Sequence, residues 1–251
     1  MTRSHALLGV DIGGSGMKGR LVDAVSGQLL TDRFRVPTPQ PATPPTVSKA
    51  FGAILDHFDW QGPVGCTFPG VVGAQGIILT AANMDPAWIG VDAAALFGEH
   101  DGATEVVMVN DADAAAIAED AVGAAADIPG VVLVVTFGTG IGSGLIANGH
   151  LVPNTEFGHI EINGVAAEVN ASSRAKDRDG LDFNGWIPRV NRFLQTVEDL
   201  VWPDLIVFGG GISKHFDRYR DRLDCRTPLV PATLQNEAGI VGAAMHAAGS
   251  S

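Results

Sequence analysis

The chain has 251 residues, 46% of them hydrophobic and 18% charged, which is ample apolar chain for a packed core and excludes a disordered polymer. A formal net charge of -12 and a sequence pI near 4.8 exclude a general binder of nucleic acid or anionic membrane, but still allow a local basic pocket for a small polyanion. Cys66 and Cys225 cannot make a disulfide framework and lack metal-ligand spacing. With no signal peptide and no uncharged stretch near the ~18 residues of a membrane span, the expected protein is soluble and cytoplasmic.

The first predicted element is a buried strand from Leu7 that runs into the turn Gly13-Gly14-Ser15-Gly16. A second apolar strand through Leu21-Val22 ends at the turn signal Ser26-Gly27, and a third begins at Leu29. A proline-rich entry opens a helix over Pro44 to Phe58, followed by a short buried strand, Val64 to Phe68, and a short helix, Asp92 to Glu99. The strand Val106 to Asn110 then leads into the alanine-rich helix Ala112 to Val122. Asp127, Pro129 and Gly130 mark the expected boundary between an N-terminal α/β lobe, 1–125, and a C-terminal α/β lobe, 126–251.

Beyond that boundary the order returns. A strand from Val132 reaches the turn Gly138-Thr139-Gly140, a second strand passes through Leu145-Ile146 to the turn Asn148-Gly149, and a third begins at Leu151. A long helix over Leu181 to Leu200, a strand over Leu205 to Phe208 and helices over Ser213 to Leu223 and Glu237 to Ala247 complete the chain. Leu7 to Gly19 lies on Val132 to Gly144 without a gap. The expectation is therefore a duplicated β-β-β-α-β-α unit, as two α/β lobes facing a cleft. Whether the last helix packs back on the first lobe is left open.

Gly14, Gly16 and Gly19 fit the dinucleotide pattern G-x-G-x-x-G, with Asp32 at a tempting distance. That motif needs a helix to open on the loop, and here strand residues follow. Nor is this a Walker A loop, because Lys18 precedes Gly19 rather than Ser or Thr. A glycine turn between two strands can be an ordinary hairpin. It can also be an anion nest, because a backbone without Cβ atoms approaches phosphate closely and presents successive N–H groups. Two equivalent loops favour the second use, with Lys18 as a nearby cation and Asp11 as a carboxylate for Mg²⁺ or its waters.

The segments Asp11-Ile12-Gly13-Gly14-Ser15-Gly16-Met17-Lys18-Gly19, Asn110-Asp111, Gly138-Thr139-Gly140-Ile141-Gly142-Ser143-Gly144, Glu156-Phe157-Gly158-His159 and Gly209-Gly210-Gly211-Ile212-Ser213 carry a family likeness. With them the chain resembles the ROK sugar kinases, and within that family the actinobacterial polyphosphate-dependent glucokinases. Arg35-Val36-Pro37-Thr38-Pro39, Thr67-Phe68-Pro69-Gly70, Ala81-Ala82-Asn83-Met84-Asp85 and the run from Asn236 to Ala244 support it. The resemblance implies an α/β, actin-like (ribonuclease H-like) two-lobed sugar kinase fold, typically a homodimer, phosphorylating the 6-hydroxyl of glucose. It implies glucose, inorganic polyphosphate and ATP as partners and Mg²⁺ as cofactor. Many ROK proteins bind structural zinc through cysteines after the Glu-x-Gly-His motif. Ile160 to Asp182 contains none, so no zinc is expected. Few residues precede the first strand, which disfavours the family's DNA-binding repressors.

Phosphoryl transfer needs a positioned hydroxyl, an in-line donor, charge neutralisation and a proton acceptor. Asp111 stands where a buried strand meets a helix. Its ordinary use would be to cap that helix, a job Asp113 could share, but the resemblance makes it the general base. The resemblance also assigns Asn83, Asn110, Asp111, Glu156, His159 and, less directly, Glu168 to the hydroxyls of glucose. Phosphate and donor binding fall to Asp11, Gly13, Gly14, Ser15, Gly16, Lys18, Gly138, Thr139, Gly140 and Gly142, with Gly209, Gly210 and Gly211 against the adenosine of ATP. Arg174, Lys176, Arg178 and Lys214 are further cations for a polyphosphate chain, or simply solvated helix faces. A ROK kinase for mannose, fructose or an N-acetylated sugar, and a non-catalytic sugar-sensing or nucleotide-binding protein of the same fold, remain the alternatives.

Overall fold

The computed structural model describes residues 5–249. In chain order its strands and helices are β1 (Ala6–Gly13), β2 (Gly16–Asp23), β3 (Phe34–Val36), α1 (Pro44–Phe58), β4 (Gly62–Phe68), α2 (Ala93–Gly98), β5 (Ala103–Asn110) and α3 (Asp111–Val122). There follow β6 (Val131–Phe137), β7 (Ile141–Ala147), β8 (His150–Val152), β9 (Glu161–Ile162), β10 (Val165–Ala166), α4 (Ala167–Ala171), α5 (Ser173–Arg178), α6 (Phe183–Val201), β11 (Leu205–Gly209), β12 (Leu229–Pro231) and α7 (Ala238–Gly249). The described residues form two compact units, 5–118 with 237–249, and 119–236. The chain thus passes from one unit to the other within α3 and returns just before α7. Among the described residues no helix is long and apolar enough to cross a membrane.

In the first unit the sheet order is β3-β2-β1-β4-β5. β1 to β3 are antiparallel, and β1, β4 and β5 run parallel. Leu8, Val10 and Ile12 alternate along β1 and are buried with Val47, Phe51 and Ile54 of α1. α1 begins with prolines in its first turn, where a missing N–H costs nothing, and ends at Asp59 in the left-handed conformation. α7 packs on β1, β4 and β5, and glycines let it come close. A Cβ on Gly9 or Gly65 would overlap the carbonyl oxygen of Ile240 or Ala243 of α7.

The second unit repeats the plan. Its sheet order is β12-β11-β6-β7-β8, again with three antiparallel strands followed by two parallel ones. The β-β-β-α-β part of the duplicated unit expected from the sequence recurs in both, and each sheet extends to a fifth strand, β5 or β12. The core is aromatic: Phe137 stacks on Phe208 at 4.5 Å, and Trp186 and Phe193 meet Phe137 edge-on. Glu119 is fully buried, and its carboxylate accepts the N–H groups of Ala124 at 2.8 Å and Leu234 at 2.8 Å, with the N–H and hydroxyl of Thr233 at 3.2 and 3.0 Å. These four bonds tie the end of α3 to the segment that leads into α7.

Two expectations are corrected. Leu29 makes only an isolated bridge to Val22, and the third strand is Phe34–Val36, because Thr31 turns inward to bond Leu21 N–H and the Arg20 guanidinium. Ser213 to Leu223 is not an α-helix but two 3₁₀ segments, Gly211–Arg218 and Arg220–Arg222. The buried residues there are Ser213, Phe216 and Tyr219, a spacing of three that suits three residues per turn. The stretch from Ile160 to Asp182, featureless by pattern, folds as β9, β10, α4 and α5.

Candidate active site

The expected site residues fall into one group in each unit. In the first, β1 and β2 are joined by a two-residue turn, Gly14-Ser15, with Gly13 paired to Gly16 and Asp11 to Lys18. Lys18 Nζ donates to Asp11 Oδ2 at 2.8 Å, and Thr67 Oγ1 donates to Asp11 Oδ1 at 2.9 Å while accepting Ile12 N–H at 3.1 Å. Lys18 is therefore charge-matched at close range. Asp11 remains 20% exposed, and each of its oxygens keeps a second acceptor direction. Such a carboxylate fits Mg²⁺ held through its water shell, since that ion keeps several waters and takes substrate phosphates rather than an all-protein cage.

The glycines of this turn serve close approach. A Cβ on Gly14 would lie 2.8 Å from the Asn83 carbonyl oxygen, and one on Gly16 would lie 2.6 Å from the Arg35 guanidinium. Asn83, left-handed at φ 60, is thereby set against the turn. The turn's carbonyls are all engaged by one segment. Thr38 Oγ1 donates to Gly13 O, Gln40 Nε2 to Gly14 O at 3.2 Å, and Arg35 Nη2 to Ser15 O at 3.0 Å.

At the end of β5 the chain enters α3 directly. Asn110, buried, accepts the N–H groups of Ala112 at 2.8 Å and Asp113 at 3.1 Å, and donates to Gly70 O at 2.9 Å. Capping of the helix thus falls to Asn110, and its amide retains one hydrogen for a ligand. Asp111, the first residue of α3, is exposed and accepts Ala112 N–H at 2.9 Å.

In the second unit the β6–β7 turn is Gly138-Thr139-Gly140, closed by Gly138 N–H to Gly140 O at 3.0 Å. Gly142 lies inside β7, opposite Thr136. Glu156 precedes and His159 ends a single 3₁₀ turn, with His159 Nδ1 3.8 Å from Glu156 and Nε2 3.7 Å from Glu168. Glu168 Oε2 accepts Ile141 N–H at 3.1 Å and fills the space beside Gly140 that a Cβ would take. Gly158 abuts the Ile141 carbonyl, and buried Ser143 bonds Thr155 and Phe157 N–H. The three sugar-directed residues of this unit and its glycine turn are thus one construction. Gly209 ends β11, Gly210 is left-handed at φ 84 with its Cα against the backbone of Phe137, and Gly211 is exposed.

Of the four further cations, Lys176 pairs with Asp177 and Arg178 with Asp179. Arg174 and Lys214 are exposed, and among the described residues neither forms an ion pair; Arg174 N–H donates to Gly138 O at 3.1 Å. Burial pushes the Glu156 carboxyl above its ordinary value, with His159 opposing and Glu168 adding to the rise. If the charged form of Glu156 holds a sugar hydroxyl, as the family resemblance implies, acid should weaken sugar binding at a higher pH than for an exposed glutamate. In a titration of glucose affinity against pH, the acid limb should shift in Glu156→Gln; an unchanged limb would remove Glu156 from sugar binding.

Sequence reasoning missed Arg35, Thr38 and Gln40 as partners of the first turn, and Ser143 as the organiser of the Glu156 segment. The signal available was the position of Arg35, Thr38 and Ser143 within family-like stretches; Gln40 had none.

A model of the ROK family matches residues 7–179. Over 244 residues the chain is 50% identical to the polyphosphate glucokinase of Mycobacterium tuberculosis, covering 97% of this chain and 91% of that protein. Among solved structures, the inorganic polyphosphate/ATP-glucomannokinase of Arthrobacter sp. strain KM superposes with a TM-score of 0.92 at 47% identity, covering 99% of this chain and 100% of that one. A ROK family glucokinase from Streptomyces griseus, solved with glucose and AMPPNP, has a TM-score of 0.82 at 24% identity over 97% of this chain and 99% of that one, a likeness of fold.

Proposed function

Because this chain belongs to the ROK family, we propose that it is a glucokinase transferring a phosphoryl group from inorganic polyphosphate, and from ATP, to the 6-hydroxyl of glucose. The chain is an enzyme with the actin-like fold of the sugar kinases. The observation that carries the substrate reading is the near-full-length likeness to the mycobacterial polyphosphate glucokinase.

In this reading Asp111 accepts the proton of the 6-hydroxyl as that oxygen attacks the terminal phosphorus. The P–O bond to the rest of the donor breaks, leaving glucose 6-phosphate and either ADP or a polyphosphate one unit shorter. Amides of the Gly14-Ser15 turn, and of Gly138 to Gly140, hold phosphate oxygens, while Gly209 to Gly211 leave room for the adenosine of ATP. Asn83, Asn110, Glu156, His159 and Glu168 bind the sugar hydroxyls. Mg²⁺, held by Asp11 through water and by the donor itself, would offset the charge of the phosphates. By family likeness the protein works in the cytoplasm as a homodimer. The likeness to the Arthrobacter glucomannokinase favours mannose as a second acceptor.

The test is side-by-side kinetics with polyphosphate and ATP against glucose and mannose, with Mg²⁺. Glucose 6-phosphate from either donor is expected; no product from either would overturn the proposal.

A further inference from the structure

We propose that Thr38 and Gln40, with Arg35, are positioning residues that set the amides of the first glycine turn for the phosphoryl donor. The inference deepens the kinase reading and rests on it. Three consecutive carbonyls, those of Gly13, Gly14 and Ser15, receive hydrogen bonds from three side chains of the six-residue segment 35–40. In a planar trans peptide, the N–H of one residue is antiparallel to the carbonyl of the residue before it. Holding the carbonyls of Gly13 and Gly14 toward segment 35–40 therefore turns the N–H groups of Gly14 and Ser15 to the opposite side. Gly14 and Ser15 lie outside the β1–β2 ladder, so the ladder itself does not fix the Gly14–Ser15 peptide plane; the Gly13–Gly14 plane starts at the last ladder residue, Gly13, and the Thr38 bond adds to that hold.

An anion nest requires this arrangement. Carbonyl lone pairs facing a phosphate repel it, whereas N–H groups attract it, and a glycine turn can rotate between the two at little cost. The neighbouring side chains remove that freedom. Thr38 is buried and its bond to Gly13 O is partly so, and the Arg35 guanidinium occupies the space that Gly16 leaves by lacking a Cβ. Arg35, Thr38 and Gln40 lie on the carbonyl side of the turn, so they act on the donor through the backbone rather than by touching it.

The variants are Thr38→Val, which keeps the shape and loses the donor, Gln40→Leu, and Thr38→Ser as the conservative control. None changes charge, so long-range attraction for a polyanion is unaltered. Donor KM and kcat would be measured with polyphosphate and ATP, glucose affinity by calorimetry on the protein without donor, and Tm by thermal unfolding. Thr38→Val and Gln40→Leu should raise donor KM about five- to tenfold, roughly 1–1.4 kcal/mol each. Glucose affinity should stay within twofold, and Thr38→Ser should restore donor KM. Unchanged donor KM in both variants would overturn the proposal, as would a common fall in Tm, glucose affinity and kcat that Thr38→Ser does not rescue. Failure of the unaltered protein to form product from either donor would instead overturn the kinase reading.

Discussion

Asp111→Asn should lower kcat for glucose 6-phosphate formation by roughly 10²–10⁴-fold, the usual worth of a positioned general base. Glucose affinity should stay within a few-fold, because an amide oxygen still accepts a hydrogen bond where the carboxylate did. The fold should hold as well. Asn110 caps the helix by bonding Ala112 and Asp113 N–H, and the replacement asparagine can accept Ala112 N–H as the aspartate does. Isothermal titration with glucose, steady-state rates and a melting curve separate the three quantities. Near-normal turnover would remove Asp111 from proton transfer.

The largest stability effect is expected where α7 meets its neighbours. Gly242→Ala adds a Cβ that overlaps the Ala114 carbonyl of α3, and Gly65→Ala adds one that overlaps the Ala243 carbonyl of α7. Helix propensity alone favours alanine over glycine by about 1 kcal/mol in an exposed helix. At Gly242 the sign should reverse, because the obstacle is backbone on a packed helix, and overfilling such a contact costs about 1–3 kcal/mol or more. With roughly 2–4 °C lost per kcal/mol for a chain of this size, Tm should fall by about 2–12 °C for each variant. A Tm equal to or above that of the unaltered protein would mean that α7 does not seat on β4 and α3 as described.

Much of this architecture was legible because local and global signals agreed. The prolines at the head of α1 and its apolar stripe from Val47 to Leu55 specify one helix with the bounds expected. The gapless match of the two glycine-rich segments revealed a duplication that the two sheet orders repeat. The chemistry was less legible where a role depends on contacts distant in the chain. Capping of α3 reads as the ordinary alternative use of Asp111, one that Asp113 could share, yet Asn110 supplies it, oriented by Gly70 forty residues away. Glu119 reads as a polar position on an alanine-rich helix, but it is wholly buried and satisfied by groups more than a hundred residues distant. Lys18 reads as a ready cation beside the first turn, whereas its ammonium is already paired with Asp11.

The central claim is that the glucose 6-hydroxyl lies beside Asp111 while the donor's terminal phosphate sits on the amides of Gly14 and Ser15. A crystal structure with glucose, Mg²⁺ and a non-transferable phosphate donor tests it most directly. The sugar's O6 is expected at about 2.6–3.2 Å from an Asp111 oxygen, with phosphate oxygens on those two N–H groups. O6 turned toward another carboxylate, or phosphate facing the carbonyls of Gly13 and Gly14, would contradict it.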